Sequence, residues 1–179
     1  MTREQLAEQL DWHWRENLRP RLDGLSDEEY FWEPVRGCWS IRPRGTSAAP
    51  ISDGAGEYTM DRARPAPDPA PVTTIAWRLA HVTVGCLGAR AASHFGGPAT
   101  SYETHAYAGT AQEALAQLDT AYKAWIEGVL SADMAKPIGP AEGPFADSPM
   151  SELVLHINRE LIHHGAEIAL LRDLYRWRD

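Results

Sequence analysis

Residues 148–177, SPMSELVLHINRELIHHGAEIALLRDLYRW, decide the fold. Ser148 is placed as an N-cap and Pro149 as the first helical residue, a slot that suits proline because no N–H is needed there. At about 100° per residue, Leu153, Ile157, Leu161, Ile168, Leu171 and Tyr175 line one face, which predicts a long helix from about Pro149 to Trp177. Glu160 and His164 fall in the middle of that apolar face, one turn apart. A carboxylate on a buried stripe is costly unless something positive sits against it.

Working outward, three more stretches carry helical period. Thr2 and Gln5 have capping-box spacing, and Leu6, Leu10, Trp14 and Leu18 recur every fourth residue, so a first helix is predicted over about Thr2–Leu22. A short turn begins at Ser26, with Glu29 three residues on, and Pro34 stops it. A second long helix is predicted over about Thr73–Phe95, ended by Gly96-Gly97-Pro98. A third runs over about Thr110–Leu130, with Thr110 and Glu113 as a capping box and Leu115, Leu118, Tyr122, Trp125, Ile126 and Val129 as its stripe.

No stretch alternates apolar and polar residues in the manner of a strand, so strands are expected to be minor or absent. The sequence therefore reads as all-α, a four-helix bundle filling one domain over residues 1–179. Residues 34–71 are rich in Pro, Gly, Ala and Ser and are expected to form a long first crossover connection. Within it, Gly37–Arg42 is expected to be ordered and Ser47–Asp53 the most mobile.

The second helix repeats the anomaly of the fourth. Thr74, Trp77, His81, Val84, Gly85, Gly88, Ala92 and Phe95 share a face, with His81 at its centre. Each glycine inside a helix costs about 0.5–1 kcal/mol, so Gly85 and Gly88 point to a close backbone approach or to an open pocket beside His81. Two histidines and one glutamate from two helices make a three-ligand set with open positions, the pattern of catalytic metal sites. The donors suit Zn²⁺ best, and Ni²⁺ is also possible. Periodicity leaves a second reading open, in which Glu160 and His164 pair with each other or with Arg78 or Arg90.

Other groups read as peripheral. His156 and His163 lie at the edge of the fourth helix's stripe, as a flank or a solvated side. His13 either faces the pocket or the solvent, and His94 and His105 fall near helix ends. Cys86 points well off the His81 face at regular helical pitch, which predicts an inert buried thiol. Cys38 and Cys86 are expected to be free thiols.

The formal net charge of −8 argues against a broad nucleic-acid interface. No run of 18 apolar residues suggests a membrane span, and the amphipathic N-terminus does not resemble a signal peptide, so a cytoplasmic protein is expected. Seven tryptophans in 179 residues should partly fill the core and partly line a pocket.

Three segments carry a family resemblance. They are Thr74-Ile75-Ala76-Trp77-Arg78-Leu79-Ala80-His81-Val82, then Asn158–Ile168 with Leu171–Tyr175, then Glu33–Arg42. The chain resembles the DinB-like superfamily, which includes mycothiol- and bacillithiol-dependent enzymes. Many members use three histidines; here Glu160 stands at one of the positions, similar to the His/Glu/His set of mycothiol-dependent maleylpyruvate isomerase. The resemblance does not extend to that isomerase's extra C-terminal domain, so isomerase activity itself is not expected. The resemblance implies that His81, Glu160 and His164 hold one divalent metal, that the fold is a bundle with a long first connection, and that the protein forms a homodimer. It implies an S-transferase or detoxification activity in which a metal-activated low-molecular-weight thiol attacks a small electrophile. Trp39 and Arg42 are expected at the substrate rim, although Trp39 also reads as a pin holding the loop. The alternative is a non-catalytic metal- or small-ligand-binding stress-response protein.

Overall fold

The computed structural model describes residues 2–178. Four long helices dominate, and the first three start on a side-chain cap. The first, Arg3–His13, opens on a full capping box between Thr2 and Gln5 and continues without a break through a π-helical turn, Trp14–Leu18, into Arg19–Arg21. The second, Ile75–Ala80, is capped by the Thr74 side chain and continues as a π-helical segment, His81–Gly88, and then Ala89–Phe95. Gly96, at φ +72°, ends it in the left-handed conformation. The third spans Ala111–Ser131 and is capped by Thr110; the fourth spans Met150–Arg176.

The start of the fourth helix differs by one position from the sequence reading. Pro149 is extended, at ψ 149°, and is itself the N-cap, while Ser148 lies outside. Backbone pairing of Pro137 with Pro149 holds the chain extended there.

Helices one and two each pack against both three and four. Leu6, Leu10, Leu22, Leu79, Leu118, Trp125 and Ile157 are buried where they meet. Trp14 stacks on Tyr122 at 3.9 Å between ring centroids, tying helix one to helix three.

The connection between helices one and two holds the minor strand content that the sequence reading left unplaced. It carries a small antiparallel sheet of three strands in the order β1–β3–β2: β1 Ile41–Pro43, β2 Ile51–Asp53 and β3 Tyr58–Arg62. Ile41 and Met60, paired in register, are both buried. The stretch expected to be most mobile, Ser47–Asp53, instead supplies β2, and Ser47 Oγ donates to Asp61. Buried Asp61 also accepts from the Ser40 N–H and from Arg42 Nε. Strands of 3–5 residues are too short to show a period of two, which is why the sequence hid them.

Helix two is stitched to this sheet at its N-terminal end. Trp39 and Thr73 form a bridge, Ser40 and Thr74 share a hydroxyl hydrogen bond at 2.9 Å, and Trp77 Nε1 donates to the Asp61 carbonyl at 2.8 Å. The sheet therefore fixes the helix that carries His81.

Candidate metal centre

His81, on helix two, and Glu160 and His164, on helix four, lie close together, and Cys86 joins them. One donor atom from each of the four lies within 4.8 Å of the others. His164 is buried, and Glu160 is half-buried. The two imidazole rings meet edge to face with centroids 4.7 Å apart.

Hydrogen bonds set which nitrogen of each ring faces inward. His164 Nδ1 lies 2.7 Å from Glu167 Oε2. A carboxylate only accepts, so a proton sits on Nδ1, and Nε2 is the nitrogen turned toward the other donors. His81 Nδ1 lies 2.7 Å from the Tyr102 hydroxyl. Burial, with His164 and then Arg78, Arg90 and Arg62 nearby, holds the His81 imidazole down to about 3, so it is neutral at pH 7.

Between the donors there is little to satisfy them. His164 Nε2 and Glu160 Oε2 face each other at 3.5 Å, too long for a good N–H···O bond. The arginines that could have neutralised Glu160 are engaged elsewhere: Arg78 with Glu167 at 3.1 Å and Arg90 with Glu142 at 3.3 Å. What approaches Glu160 instead is His156 at 3.5 Å and the exposed Arg159 at 3.9 Å.

The set fits a divalent ion. A tetrahedral first-row metal, with bonds of about 2.0–2.3 Å, spaces its donors by about 3.3–3.8 Å. The His81 Nε2 to Cys86 Sγ distance is 3.7 Å, and the His164 to Glu160 distance is 3.5 Å. A buried His/Cys/Glu cluster of this kind can hold a metal ion. The Glu167–His164 contact is the carboxylate–histidine arrangement that orients a ligating imidazole.

Cys86 corrects the sequence reading. At regular pitch, five residues beyond His81 is about 140° off its face. The segment His81–Gly88 is π-helical, so residues five apart come into line. The thiol lies against His81 Nε2 and is pushed up to about 12 by burial and then by the Glu160 charge, so it is a neutral S–H at pH 7. Gly85 resolves as close approach, not open space: a Cβ there would meet the Tyr102 hydroxyl at 2.0 Å. At Gly88 the same test gives 2.8 Å to the Thr83 carbonyl.

Tyr102 and Glu167 were not singled out from the sequence. Glu167 had a signal, its i+3 spacing from His164 on one helix. Tyr102 comes from an aperiodic loop and had none. It is held by Arg62, whose guanidinium lies 4.2 Å over its ring, and by stacking against His81.

The remaining histidines are placed as follows. His163 lies exposed beside Glu167 at 3.5 Å, forming a smaller group with His164 and Glu167. His94 pairs with Glu142, and His105 with Gln117. His13 is outside the cluster, with Nε2 buried and without a hydrogen-bond partner among the described residues. Cys38 and Cys86 are both free.

Trp39 is half-buried. Its ring lies 6.2 Å from Trp77, which in turn stacks 5.4 Å from His81. Arg42 binds Asp61 and the Cys38 carbonyl, each at 2.7 Å, and Glu33 at 2.8 Å. A cavity of about 790 Å³ is lined by Arg90, Ile138, Phe145, Leu153, His156 and Arg159 among others; none of the four donors lines it, and its link to them is through His156 and Arg159, which approach Glu160.

The family described as the DinB superfamily matches this chain over residues 9–168. No curated protein and no solved structure matches the chain.

Proposed function

The chain belongs to the DinB superfamily, and from that premise we propose that it is a divalent-metal-dependent S-transferase built on the family's four-helix bundle, with His81, Glu160 and His164 as ligands. One observation carries the reading. Two imidazole nitrogens and a carboxylate converge without hydrogen-bonding one another, while both Nδ1 atoms are held from behind by Tyr102 and Glu167. Zn²⁺ suits these donors best. When bound, such an ion lowers the pKa of a coordinated thiol or water and polarises an acceptor.

The chain's own groups do the rest. The Tyr102 and Glu167 contacts fix both rings before anything binds, so no orientation has to be found during reaction. The cavity lined by His156 and Arg159 receives the electrophile, with Ile138, Phe145 and Leu153 against its apolar body and the exposed Arg159 toward an anionic substituent. Trp39 and Arg42 are outside that cavity's lining: Trp39 packs on Trp77, which stacks on His81, and Arg42, with its donors engaged, holds its loop against β3. The reaction is RSH + R′–X → RS–R′ + HX: the thiol sulfur forms the new C–S bond, X leaves with its bonding pair, and the thiol proton goes to X or to solvent. The thiol is a small cytosolic one of the mycothiol kind.

The test is metal content and turnover together. Elemental analysis of protein purified without chelators is expected to give one equivalent of metal, lost in His81→Ala and His164→Ala. Turnover of a generic electrophile such as monochlorobimane with mycothiol, bacillithiol or glutathione is expected to need that metal. Wild-type protein without stoichiometric metal would sink the reading. Metal without turnover would favour the second reading, a non-catalytic binding protein, which draws support from the presence of Cys86 among the donors.

A further inference from the structure

We infer that Cys86 is a fourth, soft ligand of this centre, so that the resting metal is held by two imidazoles, one carboxylate and the Cys86 thiolate. The inference rests on the metal-binding reading above and goes beyond its three ligands. Three observations carry it. The π-helical segment His81–Gly88 turns Cys86 onto the His81 face, where a regular helix would point it away. Its sulfur lies 3.7 Å from His81 Nε2, the lone pair a metal would take, and has no other hydrogen-bond partner among the described residues. Finally, the side chain is buried within the donor cluster and not in the apolar core alone.

The exchange balances without an oxidant or reductant. The S–H bond breaks, the sulfur keeps the pair and donates it to the cation, and the proton leaves to solvent. The S–H···N contact is replaced by a shared metal. Two nitrogens, one oxygen and one sulfur favour Zn²⁺ or Co²⁺ over Mg²⁺, Ca²⁺ or Mn²⁺. Four protein donors also close a tetrahedral site at rest. An incoming thiol must then displace Cys86 or enter as a fifth ligand, which makes Cys86 a gate on the thiol site.

Cobalt titration of the full chain tests this without recourse to activity. The metal-free wild type, Cys38→Ser, Cys86→Ser and Cys86→Ala are each titrated with Co²⁺ and followed by absorption. Wild type and Cys38→Ser are expected to develop a near-ultraviolet thiolate-to-cobalt charge-transfer band that saturates at one equivalent. The two Cys86 variants are expected to take up Co²⁺ without that band. Co²⁺ uptake by the wild type with no band, or a band that survives in both Cys86 variants, overturns the inference and leaves the three-ligand reading standing. No Co²⁺ uptake by the wild type overturns both. Because wild type and Cys38→Ser carry the only signal needed to reject it, the inference stays testable even if a Cys86 variant misfolds.

Discussion

Glu167 never enters the donor cluster of His81, Cys86, Glu160 and His164, yet it determines what His164 can do there. By accepting from Nδ1 it fixes the orientation of the ring, so that Nε2 faces Glu160 Oε2 at 3.5 Å. Groups that orient a ligand in this way typically contribute 10–100-fold to metal affinity. Glu167→Ala and Tyr102→Phe are therefore each expected to weaken Zn²⁺ binding by about 10–100-fold in a chelator competition, with the helical circular dichroism unchanged. Affinity within twofold of wild type in both would remove the orienting role. These two residues also mark how far the sequence could be read. The spacing of Glu160 and His164, and the central place of His81, were legible because helical period alone puts them on buried stripes. Tyr102 was not, because no local pattern tells where an aperiodic loop will lay a side chain.

Helix two shows the same divide between pattern and pitch. Its stop at Gly96-Gly97-Pro98 was readable residue by residue, but the cap at Thr74 and the π-helical turns were not. The pair Gly85 and Gly88 was the trace they left, since a helix made irregular at a functional site often needs backbone in contact with its neighbours. At Gly85 the neighbour is the hydroxyl of Tyr102, 2.0 Å from where a Cβ would stand. Gly85→Ala is expected to displace that hydroxyl from His81 Nδ1 and weaken Zn²⁺ binding about tenfold. Its effect on stability should be small, because alanine recovers about 0.5–1 kcal/mol of helix propensity. Isothermal titration beside thermal melting separates the two effects. At its other end, helix four is anchored by a buried ion pair. Arg172 grips Glu29, on the short helix Asp27–Tyr30, with Nε–Oε1 at 2.7 Å and Nη2–Oε2 at 3.0 Å. Removing one partner strands the other charge, so Arg172→Ala or Glu29→Ala is expected to cost about 3–5 kcal/mol in urea unfolding. The double variant Arg172→Met/Glu29→Leu is expected to recover much of that loss, since an apolar pair leaves no charge unpaired. Equal losses in single and double variants would mean that packing, not charge, is what matters there.

Across the whole molecule, the donor cluster joins two helices that are distant in sequence and differently supported. Helix four is anchored by its apolar face and by Arg172. Helix two depends on the three-stranded sheet through Trp39–Thr73, Ser40–Thr74 and Trp77–Asp61. A helical architecture with a long first connection was legible because four apolar stripes need one another. The sheet was not, because its stability comes from pairing across the chain and from buried Asp61, neither of which leaves a periodic trace. An ion bound between these two helices binds only when both are in place, so it must stabilise the folded state by mass action. At a free concentration one hundred times its Kd, that stabilisation is about 2.7 kcal/mol. For a chain of this length each kcal/mol moves the melting temperature by about 2–4 °C, so Zn²⁺ is expected to raise it by about 5–10 °C. EDTA should reverse the rise completely. His81→Ala and His164→Ala should melt at one temperature with or without either reagent, because each lacks a ligand from one of the two helices. Glu29→Ala should start lower but keep the full Zn²⁺ shift, since the ion pair and the donor cluster share no residue. A wild-type melting temperature unmoved by both Zn²⁺ and EDTA would mean that nothing bridges the two helices.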